Sequence, residues 1–171
     1  MMKRLIILLA VIFVAVSVAH GQKKSEYHAE WDLGINIGSP YAGFVHPTIN
    51  TIHGVRFSDR VSVGGGLSVN YSPIYDGKTI MPLYANVKCF FALKKRTRPY
   101  VSFDIGYTMF LSNEGNDGPA VGVYFSPALG LKKGRFKFQI GYTAQQWECT
   151  YDSSGSTYIH STGHVRFGMM F

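Results

Sequence analysis

The sequence predicts an all-β protein: an eight-stranded antiparallel up-and-down transmembrane β-barrel. Three observations lead to this prediction. Apolar and polar residues alternate with a period of two in eight separate segments, which is the pattern of strands with one apolar and one polar face. Aromatic residues gather near the ends of these segments, as at the two interfaces of a membrane barrel. The few charges on the polar faces nearly cancel, and charges confined inside a narrow barrel must pair.

The first residues predict an export signal that is separate from the fold. A short positive stretch at residues 1–4 precedes an almost wholly apolar run from Leu5 to Val18, and the small residues Ala19 and Gly21 then occupy the two positions that an export peptidase reads. The run is shorter than the ~20 residues that a membrane-spanning helix requires. We therefore expect a cleaved signal peptide at residues 1–21 and one barrel domain at residues 22–171.

The alternation is clearest in the first predicted strand, whose length of about 11 residues fits one tilted crossing of a membrane. It is weakest in the second. Pro127 lies within the sixth strand and has no amide to donate, so we expect a local bulge there. The eight predicted strands are, in chain order, Tyr27–Ile37, Ile49–Phe57, Val61–Tyr71, Ile80–Phe91, Tyr100–Leu111, Ala120–Leu131, Phe136–Gln146 and Tyr158–Phe171.

The segments between these strands alternate between longer and shorter. The longer ones are Ser39–Pro47, Ser72–Lys78, Ser112–Pro119 and Trp147–Ser156. The other three are Ser58–Arg60, Ala92–Pro99 and Lys132–Gly134, of which the first and the last have only three residues. An even strand number with this alternation predicts a barrel whose two chain ends lie on the short-connection side. The same map places Cys89 and Cys149 at opposite ends of the barrel, so we expect both thiols to be free.

The direction of the apolar face separates a membrane barrel from a soluble one such as a lipocalin, whose apolar face is inside. The polar faces here carry mainly Gly, Ser, Thr, Asn and Tyr, whereas a water-facing surface carries many Lys and Glu. The aromatic residues predict two girdles. One comprises Tyr27, Phe57, Phe91, Tyr100, Phe136 and Phe171. The other comprises Tyr71, Tyr75, Trp147, Tyr151 and Tyr158. We therefore predict that the apolar face points outward.

The charged residues on the polar faces form the main candidate site. They are Glu30, Asp32, Arg56, Lys88, Asp104, Lys137 and Arg166. Antiparallel pairing is expected to bring Asp104 near Lys88, and barrel closure to bring Arg166 and His164 beside the two acids of the first strand. We interpret the set as a salt-bridged plug that fills the interior. The alternative is a path for protons or ions.

The last strand is predicted to close the barrel. Val165, Phe167, Met169 and Phe171 share one parity and form its apolar face. With the export signal and the alternating stretch Tyr100–Tyr107, this ending resembles the OmpA- and OmpX-type small outer-membrane barrels, and more closely the short barrels common in Bacteroidetes. The resemblance covers the whole mature chain. It implies insertion into the outer membrane of a Gram-negative bacterium by the barrel-assembly machinery, which reads the last strand.

One further resemblance bears on a possible catalytic role. Some eight-stranded outer-membrane barrels are lipid A deacylases, with a His-x-Ser pair and a Glu on the lipid-facing surface. Here His160 and Thr162 stand two apart near Glu148, and Ser161 has the wrong offset, so the chain departs from that pattern at the nucleophile. The histidines show no metal-ligand spacing and there is no phosphate-binding loop, so no cofactor is expected.

The net charge and the positions of the basic residues limit the classes of molecule that the protein is expected to bind. The formal charge of +7 falls to +5 once Lys3 and Arg4 leave with the signal peptide. The basic residues of the short-connection side are Arg60, Lys94, Lys95, Arg96, Arg98, Lys132, Lys133 and Arg135. Their aromatic neighbours do not interleave as a stacking platform, which excludes nucleic acid, so anionic lipid headgroups or bulk water are the expected neighbours. We predict a monomer with a structural or adhesive role through four exposed loops of unknown partner. A narrow porin-like channel and a lipid A-modifying hydrolase are the alternatives.

Overall fold

The computed structural model describes residues 25–38, 45–71, 79–91, 97–111, 121–149 and 156–171. They form a closed antiparallel barrel in which each strand pairs with its neighbours in sequence and the last strand pairs with the first. The strands are β1 (Glu26–Ile37), β2 (Val45–Arg56), β3 (Val61–Tyr71), β4 (Thr79–Phe90), β5 (Thr97–Leu111), β6 (Val121–Lys133), β7 (Phe136–Cys149) and β8 (Ser156–Met170). The predicted fold class is therefore confirmed. The predicted signal peptide lies outside the described residues.

Burial alternates along the strands, with apolar side chains outside and polar side chains inside. In β1 the Trp31 side chain is 60% exposed, whereas Glu30 is 0% exposed. This arrangement is the inverse of a soluble protein, in which large apolar side chains occupy the interior. The described residues include no helix of the length and hydropathy needed to cross a membrane.

The second strand begins at an earlier residue than the sequence predicted. β2 starts at Val45, so the end of the predicted loop Ser39–Pro47 belongs to the strand. Val45, Pro47 and Ile49 are exposed on its outer face and alternate with buried residues. Pro47 is tolerated because the ladder between β2 and β3 begins only at Thr48, so no amide is needed on that side.

Several other strands are longer than predicted. β5 begins at Thr97 within the predicted basic turn, and β6 continues through Lys133. Ladder hydrogen bonds join backbone groups, so pairing continues after the apolar alternation has ended. Gly134 adopts a φ of 63° in the remaining β6–β7 turn, a conformation that favours glycine.

The bulge expected at Pro127 is absent. Phe125 pairs with Ala144, and Ala128 pairs with Gly141. The two strands therefore advance by the same number of residues across the proline, and no extra residue is inserted. The ladder with β7 is interrupted only at positions 126 and 127. Because proline removes a donor without changing the spacing of the strand, an interruption is sufficient.

The aromatic rim on the short-connection side is partly as predicted. Tyr27, Phe91, Phe136 and Phe171 are exposed on the outer surface. Tyr100 is a correction, because its side chain is only 1% exposed and points inward. Tyr100 directly precedes Val101, which the same alternation predicted to face outward, so its placement in a girdle conflicted with the strand period.

The opposite girdle and the cysteines are described only in part. Tyr71 is exposed on the long-connection side, whereas the side chains of the other four aromatic residues predicted there lie outside the described set. Cys89 is exposed and free. The backbone of Cys149 pairs with Ser156 at the opposite end of the barrel, and its side chain is not among those described.

Candidate functional site

Two acids on β1 and two lysines from distant strands form a buried charge cluster. The Nζ atom of Lys88 lies 2.9 Å from Oε2 of Glu30. The Nζ atom of Lys137 lies 2.8 Å from Oδ2 of Asp32 and also contacts the Glu30 carboxylate. His28 adds a contact from its Nε2 atom to Oε1 of Glu30 at 3.2 Å. Each acid therefore has a cationic partner within the low-polarity wall of the barrel.

A second ion pair is joined to this cluster through an amide. Nη1 of Arg166 lies 3.7 Å from Oδ2 of Asp104, and its Nη2 donates to the Tyr124 hydroxyl at 3.3 Å. Asn86 donates to the Asp104 carboxylate and accepts a hydrogen bond from Lys88 at 2.9 Å. Six of the seven charged residues predicted as a site thus lie in one connected network.

The predicted neighbours of Arg166 and His164 differ from those in the structure. Arg166 and His164 do not lie beside the β1 acids, because their register partners are Gly34 and Asn36. A Cβ atom at Gly34 would lie 2.6 Å from Cγ of Arg166, so glycine leaves room for the arginine to cross toward Asp104. Asp104 does lie near Lys88, as predicted, and the amide of Asn86 links the two side chains without a direct ion pair.

Arg56 lies apart from the network. Its Nη2 atom contacts the Sδ atom of Met170 at 3.5 Å, near the short-connection end of the barrel. The alternation of polar residues showed that Arg56 belongs to the inner face. The alternation does not indicate how far along the barrel axis Arg56 lies. Its position along that axis is what separates Arg56 from the acidic residues.

Apolar clusters lie near both parts of the network, and the sequence analysis did not find them. Ile52, Tyr84 and Tyr124 form one cluster, in which the two tyrosine rings stack with centroids 5.3 Å apart. Phe90, Tyr100 and Met170 form the other, and the Tyr100 hydroxyl donates to Oε1 of Gln139 at 3.0 Å. The alternation placed Ile52, Tyr84 and Tyr124 on the inner face, but it did not indicate that they meet, and Tyr100 was assigned to the outer surface.

Neutral polar residues fill the interior toward the long connections. Asn36 donates to Asn70 at 3.2 Å, and the hydroxyls of Thr48 and Ser68 lie 3.0 Å apart. Nδ1 of His164 lies 3.0 Å from the Thr143 hydroxyl. The described residues include no group of three or more His, Cys, Asp or Glu that could hold a metal ion.

The residues that were compared with the lipid A deacylase pattern do not form a lipid-facing group among the described side chains. Thr162, the only hydroxyl at the required offset, is buried and points into the barrel. Ser161 is half-buried, and its side chain lies on the opposite face of the strand from that of Thr162. The side chains of His160 and Glu148 lie outside the described set.

A polar trio on the outer surface was missed by the sequence analysis. Nδ1 of His53 lies 2.6 Å from the Tyr27 hydroxyl, and its Nε2 lies 3.0 Å from the Thr51 hydroxyl. The spacing of Thr51 and His53 placed both on one face of a strand. The contact with Tyr27 depends on the β1–β2 register, in which Tyr27 faces Val55.

No protein-family model matches the chain, and no curated protein matches it in sequence. Solved structures do match. Neisserial surface protein A shares 10% identity, with a TM-score of 0.63, over 86% of this chain and 98% of that chain. The N-terminal β-barrel domain of OprF from Pseudomonas aeruginosa shares 14% identity, with a TM-score of 0.53, over 87% and 98%. The outer membrane enzyme PagL shares 12% identity, with a TM-score of 0.50, over 81% and 97%. The chain therefore has the fold of small eight-stranded outer-membrane barrels.

Proposed function

We propose that the protein is an integral outer-membrane barrel without catalysis, whose structural or adhesive role is carried by its four long connections. The main support for a membrane location is that the apolar side chains are exposed on the outside of the barrel and the polar side chains are buried inside it. Ile105 at the middle of β5 is 61% exposed, while Asp104 beside it is buried and ion-paired. Large apolar residues on the outer face of every strand would form a continuous apolar surface in water, and such surfaces mark membrane contact.

The interior supports a sealed barrel in preference to a narrow channel. The buried volume is occupied by long side chains, among them Arg166, Lys88, Lys137 and Glu30. An eight-stranded barrel has an interior just wide enough for its side chains to fill. Their charges are paired, so an ion entering the barrel would have to displace a salt bridge in a site of low polarity.

Planar-bilayer recording tests the sealed interior. The refolded protein should give no stable pore, or only a small and rare one. A double substitution that removes the central pair, Glu30→Ala with Lys88→Ala, keeps the net charge and should raise the frequency of openings. A steady large conductance of the parent protein would contradict the plug and support the channel.

Adhesion is proposed for the long connections because they carry most of the acidic residues of the loops, the exception being Asp59 in a short connection. Asp76, Glu114, Asp117 and Asp152 occur there, against Lys78, whereas the short connections are basic. A screen against host matrix proteins would compare the parent with variants in which each long connection is replaced by a Gly-Ser turn. A matched variant with a Gly-Ser β6–β7 turn serves as control. Loss of binding only in long-connection variants is expected, and equal binding by all variants would contradict the proposal.

The lipid-modifying hydrolase is tested separately. A lipid A deacylation assay on the parent should show no activity above that of a His160→Ala control. His53→Ala is a second control, because His53 and the Thr51 hydroxyl have a base-to-hydroxyl contact on the outer surface. Activity lost in either variant would overturn the non-catalytic proposal and identify the histidine responsible.

A further inference from the structure

The barrel interior ends on an apolar floor near its short-connection mouth. Phe90 on β4, Tyr100 on β5 and Met170 on β8 form this buried floor, and the ring centroids of Phe90 and Tyr100 lie 5.4 Å apart. Along β4, Lys88 is one inward position nearer the barrel centre than Phe90. Along β5, Asp104 is two inward positions nearer the centre than Tyr100. On these two strands the floor therefore lies between the charge network and the mouth, whereas on β8 the floor residue Met170 is the register partner of Glu30 itself.

Three cations lie on the mouth side of this floor, and we call them the mouth triad: Arg56, Arg98 and Lys132. Nζ of Lys132 lies 5.9 Å from the centroid of the Phe90 ring, and Nη2 of Arg56 lies 3.5 Å from the Sδ atom of Met170. Arg98 is the register partner of Lys132 and is one inward position beyond Tyr100 toward the mouth. All three therefore belong to the inner face of one barrel end.

The mouth triad lacks acidic partners within the described part of the chain. The β1 acids Glu30 and Asp32 are paired with Lys88 and Lys137. Glu26 is the register partner of Arg56 but forms no ion pair with it.

Repulsion among the cations adds to this lack of partners. Burial and the charge of Arg56 act most strongly against the ammonium group of Lys132, Glu30 attracts it, and Arg98 and Lys137 repel it less strongly. Three like charges held together at a partly buried mouth destabilise one another. A bound anion would remove that repulsion.

We propose that the mouth triad is a binding site for the phosphate group of an anionic ligand. Two guanidinium groups offer paired donors that match an oxyanion, and the lysine adds a compact positive charge. The apolar floor excludes water from one side, which strengthens these interactions. The free oxygens of a phosphate accept hydrogen bonds from these side chains, and its negative charge, one in a phosphodiester and up to two in the free ion, offsets part of the charge of the triad. The phosphate could belong to a free ion or to a lipid headgroup.

Calorimetric titration of inorganic phosphate into the refolded protein, in a neutral maltoside detergent at fixed ionic strength, tests this site. Lys132→Gln and Arg98→Gln should each weaken binding about tenfold, since each removes a charge-assisted contact. Lys133→Gln is the matched control, because it removes the same charge from the next residue, which lies exposed on the outer face. It should leave the affinity unchanged. Heat-dependent gel mobility reports whether every variant has formed the barrel. The Arg98→Gln variant is expected to fold, because the Arg98 side chain is exposed.

A second titration distinguishes a lipid headgroup from a free ion as the source of the phosphate group. Short-chain phosphatidylglycerol and short-chain phosphatidylcholine are added under the same conditions. Tighter binding of phosphatidylglycerol than of inorganic phosphate, lost in Lys132→Gln, identifies a lipid headgroup, whereas phosphate binding alone identifies a free ion. The absence of saturable phosphate and phosphatidylglycerol binding would overturn the proposal. Equal weakening by Lys133→Gln would do the same, because it would indicate a diffuse basic rim in place of a site.

Discussion

Phe171 and Ala29 exchange two backbone hydrogen bonds where the barrel closes. The Phe171 amide donates to the Ala29 carbonyl at 2.8 Å, and the Ala29 amide donates to the Phe171 carbonyl at 3.2 Å. They extend the β1–β8 ladder, which runs from Glu30–Met170 to Ile37–Gly163. Closure matters in a membrane because each unpaired backbone group exposed to lipid costs several kcal/mol.

Deleting Phe171 should therefore impair assembly in cells more than refolding in detergent. The deletion removes both hydrogen bonds and an exposed ring worth at most ~1.5–3 kcal/mol. Recognition of the last strand by the assembly machinery, which the resemblance implies, would be lost as well. Membrane fractionation and heat-dependent gel mobility measure the two outcomes. Normal assembly of the deletion at native expression level would show that this residue is not read.

Ile105→Arg should destabilise the barrel in lipid. Ile105 is exposed at the centre of β5, where a charged side chain would face the bilayer midplane. The expected loss is ~2–4 kcal/mol of unfolding free energy. Urea unfolding in lipid vesicles measures it, with Ile105→Leu as the matched control. Ser102→Arg is a useful contrast, because Ser102 is buried beside Asn86 and a larger residue there would act by crowding. If Ile105→Arg unfolds at the same urea concentration as the parent, the outward assignment is wrong.

Lys137→Met tests the charge network. Lys137 contacts both β1 acids, so its loss leaves Glu30 with Lys88 and leaves Asp32 without a lysine partner among the described residues. Removing one partner of a buried ion pair costs roughly 3–5 kcal/mol. Addition of Asp32→Asn should recover part of that loss, because it removes the unpaired charge. Lys133→Met, on the exposed face of the same hairpin, should change stability little. Strict additivity of the Lys137 and Asp32 substitutions would argue against a coupled network.

Gly130→Ala should disturb the apolar floor. The Tyr100 ring lies against Gly130 across the β5–β6 ladder, and an added Cβ would lie 2.6 Å from Cε1 of Tyr100. The ring must shift, which weakens its contact with Phe90 and its hydrogen bond to Gln139. Overpacking of this kind costs typically ~1–3 kcal/mol. Vesicle unfolding of Gly130→Ala and of Gly130→Ala with Tyr100→Ala measures it, and the second change should relieve the clash. A Gly130→Ala protein as stable as the parent would show that the floor is loosely packed.

The sequence by itself determined the strand number, the antiparallel order and the inner or outer face of most residues. These follow from a period of two, which is a local property of each segment. The same local pattern placed Glu30, Asp32, Lys88, Asp104, Lys137 and Arg166 on the inner face. It was insufficient at Pro47, where an edge of the ladder tolerated a proline, and at Tyr100, where an aromatic residue near a strand end was assigned to the wrong surface.

Only the tertiary structure decided which inward residues meet. Glu30 and Lys137 are in contact although they are 107 residues apart in sequence, and Arg166 reaches Asp104 instead of the β1 acids. Arg56 has the same parity as these residues but lies at the mouth beside Met170. Parity fixes the face, whereas height in the barrel depends on the tilt and stagger of all eight strands together. Because closure sets that stagger collectively, no single segment of the sequence carries it.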